Sequence, residues 1–203
     1  LGAHEVVAGG VSPNYVLPGV ELVHTDAVAF LERLGYEADR RARVDMVVHL
    51  VRADLDTGDA IRQLARQGIA VRRATVDDVP AVAEMARTTF GPAWGDEVVD
   101  TARFDPPSLF VALDGDRNRG RVVSFAAYDV AGPARFGPTG TDPEYRTRGI
   151  GGVLLKECLR ALRDRGEVTA EISWAGPIGF YARGVGARIS RAYWTFRKEL
   201  AEW

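Results

Sequence analysis

In the stretch RTRGIGG, residues 146–152, two arginines and three glycines stand directly ahead of an apolar-periodic run. The first N–H groups of a helix have no partner inside the helix and point outward with the positive end of its dipole. Gly149, Gly151 and Gly152 leave those N–H groups without side-chain cover, and Arg146 and Arg148 add charge beside them. The chemistry this spacing suits is the binding of a phosphate group at a strand-to-helix turn. The following run reads as a helix, with Leu154, Leu155, Cys158, Leu159 and Leu162 on one face and Lys156, Glu157, Arg160, Arg163 and Asp164 on the other. Two other phosphate motifs fail: a G-x-G-x-x-G dinucleotide turn needs glycine where Leu154 stands, and there is no G-K-[ST] for a nucleotide loop. The plain alternative is a glycine-rich turn that binds nothing.

The segment TDPEYRTRGIGGVLL resembles the R-x-x-G-x-G/A motif of the GNAT superfamily of N-acetyltransferases, with Arg146, Gly149 and Gly151 as the matching residues. The order of elements from about Ile69 to Trp203 is similar to that fold. The resemblance implies an α/β (in some schemes α+β) architecture. Its sheet is mixed, mostly antiparallel, flanked by helices and splayed open between the fourth and fifth strands of the fold. It implies acetyl-CoA as cosubstrate in the split, with no metal. The pyrophosphate would lie on the N–H groups of Arg148, Gly149, Ile150, Gly151 and Gly152, and the pantetheine along the backbone around Thr139 and Thr141.

Acetyl transfer needs a neutral amine, a polarised thioester carbonyl and a proton for the leaving thiolate. Tyr181, in GFYARGVGA, matches the tyrosine that serves the family as general acid; the alternative is a tyrosine packed in the core. A backbone N–H between Thr139 and Thr141 would polarise the carbonyl. For the base, Glu171, Asp129 and Glu144 are candidates, and water is another. Trp174 stands where the family often has Asn and is a candidate wall of the acceptor pocket. Phe90 and Trp94 are candidate acceptor contacts, core packing being the alternative for Phe90. Cys158 reads as inert packing.

The elements that must position these residues alternate in type from Ile69 onward. IAVRRAT reads as a strand, VDDVPAVAEMARTTF as a helix capped by Thr75, and GPAWGDEVVDTARFDPP as a loop with at most a short helix. LFVALDG and RVVSFAAYDV read as strands, ARFGPTGTDP as an interrupted strand, VTAEISWAG as a strand and PIGFYARGVG as a short helix. ARISRAYWTFRKEL closes the chain as a strand or strand pair.

The first part repeats this ending. AFLERLGYEADRRARVDMVVHL can be laid on GFYARGVGARISRAYWTFRKEL with one residue of slack. The expected organisation is therefore 1–51 as the C-terminal half of a degenerate first GNAT domain, 52–68 as a linker with a short helix, and 69–203 as a complete domain. NYVLPGVEL would be a lengthened loop in the first half. Leu31 stands at the place of Tyr181 there and cannot donate a proton. Leu1 reads as the edge of a strand, which suggests sequence upstream of it, as in tandem-GNAT proteins. The 1–51 fragment is expected to pack on the second domain or on a partner chain.

Composition bounds the partners. The chain has 203 residues, 46% hydrophobic and 27% charged, with a net charge of −2, and so makes no case for nucleic acid or an acidic membrane surface. No membrane span or signal peptide is legible. Cys158 is the single cysteine, which excludes an internal disulfide and fits a cytoplasmic protein. All three histidines, His4, His24 and His49, lie in the first part. These observations lead to the expectation of an acetyl-CoA-dependent N-acetyltransferase acting by direct transfer on a primary amine. A small-molecule acceptor is expected rather than a protein, since no acidic groove for a basic tail is legible. The rival readings are a non-catalytic acyl-CoA-binding module and a structural domain without a CoA site.

Overall fold

The computed structural model describes residues 4–9 and 17–200. In chain order the elements are β1 (Glu5–Ala8), β2 (Val20–Glu21), α1 (Thr25–Arg33), β3 (Glu37–His49), α2 (Gly58–Arg66), β4 (Ile69–Arg73), α3 (Val79–Phe90), α4 (Pro92–Asp100), β5 (Leu109–Asp114), β6 (Arg121–Tyr128), β7 (Arg135–Thr141), α5 (Ile150–Asp164), β8 (Thr169–Ile172), α6 (Ile178–Val185) and β9 (Arg188–Glu199). The expectations for Leu1 and for Asn14 to Val16 of the lengthened loop lie outside the described residues. The segment ARISRAYWTFRKEL forms one strand, β9, and not a pair.

Thr75 caps the turn that leads into α3, as its position suggested. The Asp78 carboxylate accepts from the Thr75 N–H at 2.7 Å and from its hydroxyl at 2.9 Å, and Arg72 clamps the same carboxylate. The segment read as a loop with at most a short helix holds that helix and is mostly helical. Gly91 at φ +113° ends α3, Pro92 takes the first position of α4, where its missing N–H costs nothing, and a short 3₁₀ turn at Thr101–Arg103 continues it. Fully buried Val98 holds α4 down. Gly91 and Pro92 mark the start of the helix, and the interior Gly95 lets α3 pack close, where a Cβ would meet Arg87, so composition alone masked the helix.

Among the described residues nine strands form one sheet in the order β1-β9-β3-β8-β7-β6-β5-β4, with β2 also on β9. All pairs are antiparallel except β7 with β8. Strand β5 is buried on both faces. Along β5, Phe110 and Ala112 pack toward α5, while Leu109, Val111 and Leu113 pack toward α3, so this strand reads as an unbroken apolar run.

Strand β3 lies between β8 and β9 and pairs with both; Met46 stands opposite Ile172 on one side and Ile189 on the other. The 52–68 segment therefore divides the sequence but not the sheet. The two helix–strand units that resemble each other end their helices alike, on left-handed glycines: Gly35 at φ +78° and Gly186 at φ +68°. None of the residues of α1 is buried, and Phe30 on it is 56% exposed. No described helix is long and apolar enough to cross a membrane.

Candidate active site

The site begins where two strands part. Among the described residues β7 and β8 pair in parallel only at Arg135/Glu171 and Phe136/Ile172, and from Gly137 onward β7 has no strand partner on that side. On its other side β7 pairs with β6, and the bond from the Asp142 N–H to the Val123 carbonyl sets the alternation. The backbone groups of Thr139 and Thr141 fall in the alternate positions and point away from β6, into the split. Their hydroxyls are turned to β6: that of Thr139 donates to the Phe125 carbonyl at 3.0 Å, and that of Thr141 lies 2.8 Å from the Ser124 hydroxyl. What the split is offered is main chain.

A cavity of about 1060 Å³ fills this opening. Its floor is β7, one end is the turn before α5, and its far wall is formed by α6 and the Trp174–Pro177 turn. Gly149 caps α5 at φ +83°, a left-handed conformation that a side chain resists. A Cβ at Gly152 would meet no atom within 4 Å, and one at Gly151 would make only ordinary contacts, 3.5 Å to Thr141 Oγ1 and 3.9 Å to Phe180. The fold's own packing does not demand these two glycines, although each weakens a helix by up to about 1 kcal/mol relative to alanine. They leave open the side of the helix end that faces the cavity. Arg146 lines the cavity and donates from Nε to the Thr141 carbonyl at 3.3 Å. Arg148 does not line it; its guanidinium stacks 4.6 Å from the Tyr145 ring centre and donates to the Glu144 carbonyl at 3.3 Å. Its side chain stands behind the turn, leaving its backbone N–H as what the turn can use.

Tyr181 enters the same cavity from α6. It is only 6% exposed and sits edge-on to Phe136 and Phe180, at 6.1 and 5.1 Å between ring centres. Burial pushes its hydroxyl up to about 12. Among the described residues that hydroxyl has no hydrogen-bond partner, in contrast to Tyr128 and Tyr193, whose hydroxyls bond Arg73 and Asp45.

A further part of the lining is aromatic. Phe90 and Trp94 stack at 4.9 Å, and both meet Phe125 edge-on. Phe90 lies on Gly140: a Cβ there would sit 2.4 Å from a ring carbon, so this glycine seats the ring in the GPTG segment. Trp174 lines the cavity as well, held at φ +50° with its backbone N–H on Asp45 Oδ1 at 3.0 Å.

The carboxylates named as candidate bases are placed elsewhere. Glu171 projects from β8 to Arg135 at 3.2 Å and accepts from the Ser173 hydroxyl, because its neighbour Ile172 takes the cavity side of the strand. Asp129 is buried against Arg165 and the Ala134 N–H, where it closes the β6–β7 turn. Glu144 is exposed beside Arg121. None of the three lines the cavity. The carboxylate that does is Glu97 of α4, one helical turn from Trp94. Burial, with Asp100 adding to it, raises its carboxyl to about 6. Its signal in the sequence was the i, i+3 spacing from Trp94, readable only once GPAWGDEVVD is taken as a helix. Cys158 is fully buried, its thiol is pushed well up by burial, and it faces the Ala126 carbonyl at 3.4 Å. Among the described residues no group of three or more His, Cys, Asp or Glu is placed to hold a metal ion.

The arrangement suits a long ligand with an anionic end. Such a ligand would set its anion on the α5 N–H groups beside Arg146, run along the β7 main chain, and bring its reacting end to Tyr181. Acetyl-CoA has this form, and the residues present fit it.

Residues 79–187 match the model of the Acetyltransferase (GNAT) family. The chain is 32% identical over 155 residues to a mycothiol acetyltransferase of Clavibacter sepedonicus, a match covering 70% of this chain and 48% of that protein, so the chain spans about half the length of this curated relative. Among solved structures it resembles the GCN5-related glucosamine N-acetyltransferase region of a fungal multi-domain GH3 β-N-acetylglucosaminidase, with a TM-score of 0.77 at 20% identity over 96% of this chain and 25% of that one. It also resembles a tandem GNAT protein from the clavulanic acid biosynthesis pathway, solved without AcCoA, with a TM-score of 0.59 at 17% identity over 98% of this chain and 64% of that one. With the family's motif at the mouth of a split, mostly antiparallel sheet, and more than half of its length matched by the family model, this chain belongs to the GNAT acetyltransferase family.

Proposed function

We propose that the chain moves an acetyl group from acetyl-CoA directly to the primary amine of a small molecule. The observation that carries this reading is the Tyr181 hydroxyl, without a partner among the described residues, in one cavity with the open end of α5 and the unpaired edge of β7. The N–H groups of residues 148–152, with Arg146, hold the pyrophosphate. The backbone of Thr139 and Thr141 pairs with the pantetheine arm, and one N–H of this edge polarises the thioester carbonyl, a contribution of about 2.7–4 kcal/mol to the rate. As the C–N bond forms and the C–S bond breaks, Tyr181 gives its proton to the leaving sulfur. A phenol held at about 12 is protonated at neutral pH, so the proton is present when needed. General acid help of this kind contributes about 10²–10⁴ in rate.

The family membership and the name of the curated relative support acetyl transfer. The 1–51 segment is, on this reading, the C-terminal half of a degenerate first domain; the α1–Gly35–β3 unit repeats the α6–Gly186–β9 unit, and the likeness to a tandem protein supports it. The test is release of free thiol from acetyl-CoA when primary amines are added, with CoA affinity measured separately by calorimetry. Binding of acetyl-CoA without thiol release for any amine would favour a non-catalytic binding module. No CoA binding at all would remove the reading.

A further inference from the structure

The cavity lining holds one formal charge of each sign. Among the described residues that line it, only Arg146 and Glu97 are charged. Arg146 bonds the Thr141 carbonyl beside the anion cradle, while Glu97 stands one helical turn from Trp94, which stacks on Phe90. The positive charge is accounted for by phosphate, and the negative charge calls for a cation. Glu97 is half-buried, and among the described residues it has no ion pair or hydrogen-bond partner. Among the described residues, the arginines named next, on α3 and β7 packed against α4 and just beyond α4 itself, have partners of their own. Arg87 of α3 bonds Asp96 at 3.1 Å. Arg103, just beyond α4, donates to the Asp129 and Val130 carbonyls at 2.6 and 3.1 Å. Arg135 of β7 pairs with Glu171 at 3.2 Å. A carboxylate turned into an apolar cavity without a partner costs stability, and such groups are held where a ligand supplies the partner.

Resting on the acetyl-transfer reading above, we propose that Glu97 seats the ammonium group of the acceptor and takes its first proton, which makes the substrate a small monoamine. The amine's carbon skeleton lies on the stacked rings of Phe90 and Trp94. A polyamine or a basic peptide would bring further cations to a cavity that offers one carboxylate, so neither is favoured. The protons balance. The ammonium loses one proton to the Glu97 carboxylate, which releases it to solvent, and the free amine forms the C–N bond. The nitrogen then loses a second proton to solvent, the departing sulfur gains one from Tyr181, and the Tyr181 phenolate takes one back from solvent. The products are the N-acetyl amine, the CoA thiol and one proton. The same burial that raises Glu97 to about 6, helped by Asp100, makes it a stronger proton acceptor than an exposed glutamate and still ionised at pH 7.

The test uses the full chain with glucosamine, ethanolamine, tyramine, spermidine and a lysine-rich peptide, wild type beside Glu97→Gln. The wild type should turn over at least one of the monoamines, with kcat/KM falling on the acid side through about pH 6. Glu97→Gln should lower kcat/KM for that amine at least tenfold and flatten the acid limb, with acetyl-CoA affinity changed less than threefold. If the glutamine variant keeps both kcat/KM and the acid limb, or if the peptide or spermidine is the preferred acceptor, the Glu97 proposal is overturned while acetyl transfer stands. If the variant loses acetyl-CoA affinity instead, Glu97 has a structural role and the proposal fails. If the wild type binds acetyl-CoA but acetylates none of the panel, the acetyl-transfer reading fails and takes this one with it.

Discussion

Asp45 Oδ1 accepts the backbone N–H of Trp174 at 3.0 Å across 129 positions of sequence. Its other oxygen accepts the Tyr193 hydroxyl at 2.7 Å, and the carboxylate is only 2% exposed. A residue of β3, from the first part of the chain, therefore holds one wall of a cavity built by the second part. The insertion of β3 between β8 and β9 makes this contact possible.

Asp45→Ala should be strongly destabilising. It removes the partner of a buried donor, the Tyr193 hydroxyl, and of a part-buried one, the Trp174 N–H, each worth about 1–3 kcal/mol, so a loss of about 2–6 kcal/mol is expected. Urea unfolding at neutral pH measures it, and a loss below about 0.5 kcal/mol would show that the wall is held by packing alone.

Gly151→Val probes the cradle. Its Cβ meets only ordinary contacts, so the fold should survive, while the branched side chain covers N–H groups at the end of α5. CoA affinity should fall at least tenfold by calorimetry in a variant with wild-type circular dichroism. A folded variant with unchanged affinity would place the pyrophosphate elsewhere. Gly149 is the poorer probe, because φ +83° would add backbone strain to any effect.

Tyr181→Phe keeps the ring against Phe136 and Phe180 and removes the proton. Acetyl-CoA affinity should change less than about threefold, and kcat should fall about 10²-fold or more where chemistry limits the rate. With the hydroxyl raised to about 12, wild-type kcat should show no alkaline fall through the ordinary tyrosine range near 10. Wild-type turnover in the Phe variant would remove Tyr181 from the mechanism.

Asp78 sets an acid limit on stability. Its carboxyl is lowered from 3.8 to about 2, first by Arg72 and then by the N–H and hydroxyl of Thr75. A lowered carboxyl contributes stability above its unfolded value, and that contribution is lost as pH falls through the folded one. Asp78→Asn should therefore cost about 1–2 kcal/mol at pH 7. The gap between variant and wild type should narrow from pH 3.8 toward 2. A gap that stays constant across this range would assign the effect to packing.

The parts of the protein that the sequence by itself determined are those decided within a few residues. The glycine turn, the apolar stripe of α5, the Thr75 cap and the strand β5 each rest on hydrogen bonds or patterns local to the chain, and the structure has them where the residues put them. Glu157, read on the polar face of α5, is instead buried, where Thr57 donates to it and Arg160 pairs with it. Phe90, Trp94, Trp174 and Tyr181 were legible as candidates through the resemblance, and all four line one cavity. The choice among carboxylates was not legible. An aspartate or glutamate carries the same charge wherever it stands, and only the third dimension turns Glu171 to Arg135, buries Asp129 against Arg165 and aims Glu97 inward. The single sheet was likewise beyond sequence reading. An apolar strand records that it will be buried on two faces, but its edges carry main-chain groups identical in every residue, so the place of β3 between β8 and β9 was settled only when the tertiary fold brought Met46 between Ile172 and Ile189.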